Sequence, residues 1–306
     1  MIMGDVDAFP VMDAPKIDSL SYIFAPKITK ELGSYGRSPS LARLLRLSGI
    51  HERLAQGADV RLCRVFDYAY NILKQPGNRC AYVYKNVLAR NRFLGKHSLS
   101  TASMLNEFRV GNSRADVVIL NGTSTCYEIK SERDSLGRLE TQLASYIRVF
   151  DKVYVITAEE CVRRVTPLLP DSVGLMVVNR RSQVSERRSA LSNKATIDTS
   201  LLFDSLTLPE IETIFSDLGI PLPTLPNTRI RRGLKQRFVE LDPAVAHDAA
   251  VTSLLHHRSL QKLATFIEAL PDSLTAAGLA FSSSEVPQLR LLDALQADMS
   301  AIQSWA

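Results

Sequence analysis

The sequence predicts an α/β protein in which a mixed central sheet is flanked by helices, with further helical regions at the N- and C-terminal ends. Two observations support this class. Between residues 107 and 178, short runs of β-branched and apolar residues alternate with apolar residues at helical spacing. In residues 40–101 and 200–306, the apolar residues follow helical spacing. The order strand–helix–strand–helix–strand from Cys126 to Val178 requires helices that pack on a sheet.

The composition is that of an ordinary globular protein. Hydrophobic residues make up 45% and charged residues 23% of the 306 residues, which excludes a wholly disordered or fibrous protein. No run of about 18 apolar residues predicts a transmembrane helix, and the acidic start lacks the positive region of a secretory signal. Since the four cysteines form no CxxC pair, we expect a cytoplasmic protein. The net charge of +5 permits nucleic-acid binding without requiring it.

The N-terminal third is predicted to be irregular at first and helical afterwards. Residues 1–40 contain four prolines and predict an irregular arm with one short helix. Ser38-Pro39 is a typical helix start, and a turn cluster at Gln75–Asn78 ends a later helix. Helical spacing predicts helices over residues 40–50, 59–73, 82–93 and 98–101.

Three short strands with tight turns are predicted next, over residues 107–110, 115–120 and 126–130. The last two are separated by Asn121-Gly122, a dipeptide that favours two-residue hairpins. We therefore expect an antiparallel meander.

The rest of the core alternates helices with strands. A helix is predicted over 136–150, a strand over 152–157, a helix over 159–169 and a strand over 173–178. The polar stretch 179–199 has no apolar period and predicts a surface loop or linker. Residues 200–306 return to helical spacing.

These patterns divide the chain into four parts. They are an N-terminal arm and helical region (1–78), an α/β core (79–182), a polar linker (183–200) and a C-terminal helical region (201–306), of which 201–240 form a distinct module.

Three charged residues in the predicted meander are candidates for a functional site. Glu128 and Lys130 lie two apart on one strand, so their side chains share a face. The hairpin can bring Asp116 beside Glu128. Because these neighbours are mostly apolar, burying such charges costs several kcal/mol unless they are paired or bound to a metal. Hard oxygen ligands of this kind suit Mg²⁺ or Mn²⁺.

This pattern resembles the PD-(D/E)XK nuclease superfamily. Asp116 is followed after eleven residues by Glu128-Ile129-Lys130, and Gln142 and Tyr146 form a QxxxY pair on the next helix, as in the RecB-like branch. The wider sequence also resembles a group of uncharacterised standalone bacterial and phage nuclease-like proteins. The resemblance covers residues 80–180 and implies a restriction-endonuclease-like core; the superfamily's proline before the aspartate is Ala115 here.

The resemblance implies phosphodiester hydrolysis that depends on Mg²⁺ or Mn²⁺. Asp116 and Glu128 would be metal ligands, and Glu107 would complete the metal shell or bind a metal water. Lys130 would orient the attacking water or offset charge on the phosphate. Glu107 also fits a position at the start of the first strand, without a role in metal binding.

The remaining site residues are implied more loosely. Gln142 would position a ligand or the substrate backbone, with Tyr146 supporting it; a plain core tyrosine fits Tyr146 equally well. Arg114 and Arg138 are candidate phosphate contacts, although exposed arginines are more often solvated charges.

The C-terminal module resembles a SAP-type helix–extended loop–helix, which often binds DNA. Its second helix, within residues 228–238, carries five basic residues that could follow phosphates, namely Arg229, Arg231, Arg232, Lys235 and Arg237. An ordinary helical hairpin with a solvated basic face is the competing interpretation.

Two main functions stay open. The first is a nuclease that acts on DNA more readily than RNA, without a membrane partner and with a homo-oligomer or protein partner left open. The second is a catalytically inactive nuclease-fold protein that binds nucleic acid or a partner protein. In either case, the protein could be a component of an anti-phage or mobile-element system.

Overall fold

A computed structural model describes residues 12–54 and 60–305 of the chain. The chain divides into two compact units, one formed by Met1–Asn86 with Thr265–Ala306 and the other by Val87–Ala264. The predicted C-terminal helical region is therefore split, because its residues as far as Ala264 belong to the second unit. The first 11 residues of the predicted arm lie outside the described residues.

The helices of the described residues are short and follow one another closely. In chain order they are α1 (Ala14–Tyr22), α2 (Pro26–Tyr35), α3 (Pro39–Ser48), α4 (Ile50–Leu54), α5 (Leu62–Leu73), α6 (Ala81–Leu88), α7 (Leu139–Tyr146), α8 (Val162–Val165), α9 (Thr199–Asp204), α10 (Leu208–Asp217), α11 (Asn227–Phe238), α12 (Pro243–His257), α13 (Ala264–Ala269), α14 (Thr275–Leu279), α15 (Glu285–Ala294) and α16 (Met299–Ser304). A π-helix, Ala89–Leu94, continues α6. None of these helices combines the length and apolar character needed to cross a membrane.

The first unit is helical within its described residues. The predicted irregular arm is wrong for residues 14–35, which form α1 and α2. Pro15, Pro26 and Pro39 lie in the first turns of α1, α2 and α3, where the missing N–H is no loss and the fixed φ favours the helix. The predicted start of α3 is confirmed, since the Ser38 hydroxyl accepts the Leu41 N–H at 3.0 Å.

The second unit contains six strands in its described residues. They are β1 (Ser103–Val110), β2 (Ser113–Leu120), β3 (Ser124–Lys130), β4 (Lys152–Ala158), β5 (Gly174–Val178) and β6 (Val184–Arg188). They form one sheet in the order β1-β2-β3-β4-β5-β6. The β1–β2–β3 meander and the β5–β6 pair are antiparallel, whereas β3, β4 and β5 run parallel. The predicted α/β class, with a mixed sheet flanked by helices, is confirmed.

Three local predictions are wrong. Residues 98–101 form a turn rather than a helix, and residues 159–168 form α8 between two 3₁₀ turns rather than one continuous helix. The third error is β6, which lies in the stretch expected to be a surface loop or linker. As an edge strand with exposed Ser185, Glu186 and Arg187, it has no buried face to impose an alternating apolar pattern.

One face of the sheet positions the candidate site. Side chains of β2, β3 and β4 on this face share one hydrophobic cluster with α7 and with α9–α12. α7 connects β3 to the parallel strand β4, so it lies against the sheet beside the carboxyl end of β3. Residues of β3 are therefore buried along the whole strand, and any charge on it needs a partner.

Candidate functional site

The register of the β2–β3 hairpin brings the two predicted carboxylates together. Val117 pairs with Tyr127 and Val118 with Cys126, so Asp116 comes opposite Glu128 when the register is continued by one residue. The Asn121-Gly122 turn that sets this register has Gly122 at φ 84°, a left-handed conformation that glycine adopts without strain. Directly opposite side chains of an antiparallel pair lie on the same face. The backbone pairs end at Val117–Tyr127, and Asp116 lies close enough to Glu128 for its charge to raise the pKa of Glu128.

Asp116 is held by the backbone of the neighbouring strand. Its Oδ2 accepts a hydrogen bond from the Ile129 N–H at 2.8 Å, and the side chain is half-buried. Two residues earlier, the carbonyl oxygen of Arg114 accepts a hydrogen bond from the Tyr146 hydroxyl at 2.7 Å. α7 therefore fixes the start of β2, and with it the position of the Asp116 carboxylate.

Lys130 connects β3 to α7. Its Nζ donates to Glu128 Oε1 at 2.7 Å and to Gln142 Oε1 at 2.9 Å. Lys130 is 8% exposed, so both contacts lie in surroundings of low dielectric, where charged hydrogen bonds are strong. The Thr157 hydroxyl donates to the Lys130 carbonyl at 2.6 Å, which fixes the end of the strand against β4. Gln142 is thereby brought together with Glu128 and Lys130.

Glu128 is the most deeply buried of the three candidate carboxylates of the site. It is 1% exposed, and its Oε2 is buried without a hydrogen-bond partner in the described residues. Burial disfavours the charged form and the Asp116 carboxylate repels it, while Lys130 opposes both effects; together they raise the pKa of Glu128 to about 7. A carboxylate oxygen without a partner in a buried position is a feature that active sites hold more often than ordinary cores do.

Tyr146 is both a core residue and an anchor of the site. It is fully buried in the hydrophobic cluster, and its ring centroid lies 6.2 Å from that of Phe150. Burial and the nearby Glu128 raise the pKa of its hydroxyl well above the usual value. The ring of Tyr146 therefore packs in the core, as a core tyrosine would, while its hydroxyl positions β2.

Glu107 lies inside β1 rather than on a preceding helix. The pairs Asn106–Val117 and Phe108–Ala115 bracket it, so its position in the register is opposite Asp116. It is exposed, and its φ of 55° is unusual for a residue other than glycine. Such strained conformations cluster at functional sites, and this one lies opposite Asp116 on the neighbouring strand.

The donor set fits a divalent ion with few protein ligands. No group of three or more His, Cys, Asp or Glu side chains in residues 12–54 and 60–305 lies close enough together to hold a metal. Asp116 and Glu128 nevertheless offer two carboxylates on one face, one with an unsatisfied buried oxygen. Mg²⁺ is commonly bound in this way, by one or two carboxylates together with waters and substrate phosphates.

The predicted phosphate contacts are exposed, except for the half-buried Lys235, but they differ in their surroundings. Arg114 lies at the start of β2 and Arg138 directly before α7, so both flank the elements that carry the site. On α11, the side chains of Arg231, Lys235 and Arg237 contact the protein itself, through the carbonyl of Leu206 (2.9 Å), the carboxylate of Asp204 (2.6 Å) and the carbonyl of Pro221 (2.6 Å).

Only part of the predicted basic stripe on α11 therefore faces solvent without an internal partner. Arg229 and Arg232 are exposed, and the side chain of neither residue makes a hydrogen bond or ion pair with the described residues. The predicted helix–extended loop–helix is present as α10, an irregular segment over residues 219–226, and α11. Three of its five basic side chains stabilise that arrangement.

A buried polar network was not predicted from the sequence. The Ser124 hydroxyl contacts His247 Nε2 at 2.8 Å, His247 Nδ1 contacts Asp248 Oδ1 at 2.9 Å, and Ser124 Oγ accepts the Asp151 N–H at 3.0 Å. The geometry is that of a Ser-His-Asp triad, but Ser124 and His247 are 3% and 1% exposed. The adjoining cavity holds about 10 Å³, which leaves no room for a substrate. The network joins α12 to the sheet.

Two comparisons relate the chain to known proteins. The model of the family described as bacteriophage P4 protein cII matches residues 78–280. Protein cII of Enterobacteria phage P4 is 36% identical over 131 residues, which are 41% of this chain and 49% of that protein. The chain thus spans about half the length of the curated relative it matches. No solved structure matches the chain. Since the family match covers more than half of its residues, the chain belongs to the bacteriophage P4 protein cII family.

Proposed function

We propose that this chain is a cytoplasmic, metal-dependent nuclease with a PD-(D/E)XK-type core that hydrolyses phosphodiester bonds in DNA. The observation that carries the proposal is the convergence of Asp116, Glu128, Lys130 and Gln142 around a buried carboxylate oxygen without a partner. A purely structural ion pair gains nothing from such an oxygen, because an unsatisfied buried acceptor costs about 1–3 kcal/mol.

The two carboxylates would hold the metal. Asp116 presents one oxygen to the Ile129 N–H, which orients the carboxylate, and Glu128 offers its unpartnered Oε2. Glu107 is a candidate to contact a metal water from the opposite position on β1. When bound, Mg²⁺ or Mn²⁺ would polarise the phosphate and lower the pKa of a water.

Lys130 is suited to stabilise charge on the phosphate. Its ammonium group is held by two acceptors, Glu128 and Gln142, so little reorganisation is needed when negative charge develops nearby. Gln142 fixes the position of the ammonium from α7 without adding charge. Tyr146 has an indirect role, because its hydroxyl anchors β2, the strand that carries Asp116.

Cleavage assays on purified protein test the proposal directly. DNA and RNA are incubated with Mg²⁺ or Mn²⁺, and Asp116→Ala and Lys130→Ala are expected to lower the rate at least about 100-fold. Lys262→Ala, an exposed lysine on another part of the surface, is the matched control and should cut normally. Cutting that persists in both site variants would show that this site is not responsible.

A second readout does not depend on turnover. Binding of a metal to the folded protein alone raises its free energy of unfolding by about 2.7 kcal/mol when the ion is at 100 times its Kd. Mn²⁺ should therefore stabilise the unaltered chain against urea and leave Asp116→Asn unaffected. Equal stabilisation of the two proteins would place the bound metal elsewhere.

A second candidate function is nucleic-acid binding without cleavage. It is favoured by the absence of a three-membered ligand group in the described residues and by the ion pair that already occupies Lys130. Steeply salt-dependent DNA binding, with no cleavage on any substrate or metal, would support this function over the first.

Membership of a phage P4 protein family supports a setting in phage or mobile-element biology, including anti-phage systems. In that setting the chain would act with a protein partner or as a homo-oligomer. Affinity purification from cells that carry the element is the test, and recovery of the chain alone and monomeric would count against it.

A further inference from the structure

An open basin of about 600 Å³ lies at the edge of the second unit. It is formed where β4 and β5 end, and its lining comes from the two segments that follow these strands. The lining residues are Glu159, Glu160, Asn179, Arg180, Arg181 and Gln183. In sheets with parallel strands, ligands bind outside the carboxyl ends of the strands, which is the location of this basin.

The basin adjoins the candidate site along the same edge of the sheet. Lys130, the last residue of β3, is level with Thr157 on β4, and Ala158 is level with Val178 on β5. With strands about 4.8 Å apart and a rise of about 3.3 Å per residue, the Cα atoms of Lys130 and Asn179 lie about 12 Å apart. A nucleic-acid strand that places one phosphate at Lys130 would therefore place a nearby phosphate at the basin.

The turn between β5 and β6 is built to present two arginines. Asn179 Oδ1 accepts the N–H groups of Arg181 and Gln183 at 2.9 and 3.0 Å, and Asn179 Nδ2 donates to the Gln183 side chain at 3.1 Å. Ser182 takes a φ of 59°, and its carbonyl accepts a hydrogen bond from the Asn91 side chain at 3.3 Å. The segment is thus held in one conformation, which lowers the entropy lost on binding.

The charges around the basin leave a surplus of positive charge. Both carboxylate oxygens of Glu159 accept hydrogen bonds from Arg187, at 2.9 and 2.8 Å, which neutralises this acid. Glu160 lies 3.9 Å from Arg180 in a loose, exposed pair. The exposed guanidinium of Arg181 has no hydrogen bond or ion pair with the described residues. One arginine is therefore free for an anion, and a second is weakly held.

We infer that this basin binds the nucleic-acid backbone beside the scissile phosphate, with Arg180 and Arg181 contacting phosphate oxygens. The inference rests on the proposed nuclease function for its substrate. Guanidinium groups suit this role because their planar donors match two phosphate oxygens at once. Contacts to the backbone would set the position of the strand without reading its sequence.

The test is DNA binding by the full chain in EDTA, where no cleavage can occur, with a fluorescein-labelled oligonucleotide at several salt concentrations. Arg180→Ala with Arg181→Ala should raise Kd about tenfold and reduce the slope of log Kd against log salt by about 1 to 2, as expected for the loss of one or two phosphate contacts. The double variant Arg43→Ala with Arg46→Ala on α3, where both residues are exposed, removes the same charge in the other unit and should change neither value.

Equal losses in the two double variants would reveal a general charge effect and overturn the inference, as would unchanged binding by the basin variant or no binding by the unaltered chain. Failure of this inference can be distinguished from failure of the proposed nuclease function. Cleavage with Mn²⁺ by a basin variant that binds normally would refute the basin alone. Weakened binding by that variant, in a chain that never cleaves, would support the basin and refute the nuclease.

Discussion

At the scale of single residues, the most informative feature is the difference in hydrogen bonding between the two carboxylate oxygens of Glu128. Oε1 accepts a hydrogen bond from Lys130, whereas Oε2 is buried without a partner in the described residues. Because Lys130 also donates to Gln142, it is already shared between two acceptors. The folded chain thus carries a group that opposes its own stability, which is typical of sites kept for function.

The raised pKa of Glu128 predicts a pH-dependent gain in stability from Glu128→Gln. The folded state favours the protonated acid, so the contribution of Glu128 is full below its ordinary pKa of 4.5 and is lost as pH rises through about 7. Glutamine mimics the protonated form at every pH. In EDTA, the free energy of unfolding of the variant should therefore rise relative to the unaltered chain by on the order of 3 kcal/mol between pH 4.5 and pH 8.

Urea unfolding at a series of pH values measures this difference. Glu140→Gln, at an exposed position on α7, is the control and should show a nearly constant difference from the unaltered chain. A constant difference for Glu128→Gln as well would mean that Glu128 ionises with an ordinary pKa.

The hydroxyl of Tyr146 predicts a second effect on stability. Tyr146→Phe keeps the ring in the core but removes the hydrogen bond to the Arg114 carbonyl, which should cost about 1–2 kcal/mol of unfolding free energy. Tyr22→Phe, at a residue that is 62% exposed, should cost nothing measurable. If the two variants were equally stable, the hydroxyl of Tyr146 would not anchor β2.

At the scale of elements, the sequence predicts buried strands better than exposed ones. β2 to β5 follow apolar, β-branched runs because burial on both faces demands them. β6 was not predicted because its residues face solvent and show no apolar pattern. α1 and α2 were not predicted because prolines in the first turn of a helix look like helix breakers in the sequence. Glu128 and Lys130 could be placed on one face by their spacing. The position of Glu107 opposite Asp116 depends on the β1–β2 register, which is set by a two-residue turn at Gly111-Asn112. This dipeptide is typical of hairpins, but it was interpreted only as a break in the strand.

The start of β5 depends on a glycine for close packing. A Cβ built on Gly174 would lie 2.3 Å from Cε1 of Tyr154 and 2.8 Å from the Ala190 nitrogen. Tyr154 cannot easily move, because its ring is buried and stacks on Tyr127 with centroids 5.7 Å apart. Gly174→Ala should therefore lower the free energy of unfolding by about 1–3 kcal/mol.

Gly137→Ala is the matched control for this change. The nearest atom to its added Cβ is the Ser135 hydroxyl oxygen at 3.7 Å, so the variant should unfold within about 1 kcal/mol of the unaltered chain. Urea denaturation of both variants provides the comparison. A Gly174→Ala variant as stable as Gly137→Ala would mean that β5 and the Tyr154 ring are packed less tightly than described.

At the scale of the whole molecule, residues far apart in sequence complete the second unit. His247 on α12 contacts Ser124 on β3, and Glu210 on α10 accepts hydrogen bonds from Arg258 at 2.7 and 3.2 Å. Local patterns predict each helix but not these partners, since contacts across 48 and 123 residues have no periodic signal. For the same reason the C-terminal helices looked like a separate region, although those up to residue 264 share the core of the sheet.

The long-range link through His247 predicts a loss of stability in acid. Burial lowers the pKa of His247 and outweighs the opposing influence of Asp248 and Asp151, while Lys194 acts in the same direction as burial. The neutral ring, with Nε2 accepting from Ser124 and Nδ1 donating to Asp248, therefore stabilises the fold fully above the ordinary pKa of 6.5. This contribution is lost as pH falls through the lowered pKa of the folded state.

His247→Gln tests this link because glutamine does not titrate. At pH 7.5 the variant should be about 1–2 kcal/mol less stable than the unaltered chain, since a buried hydrogen bond and its fit are lost. The gap should narrow as the pH is lowered towards 4, where the unaltered chain must protonate a buried ring. His256→Gln, an exposed residue on the same helix, should show no such trend. A constant gap for His247→Gln would mean that the pKa of His247 is the same in the folded and unfolded states. A gap that widens in acid would mean that folding raises this pKa, and that an ion pair with Asp248 rather than a neutral ring holds α12 to the sheet.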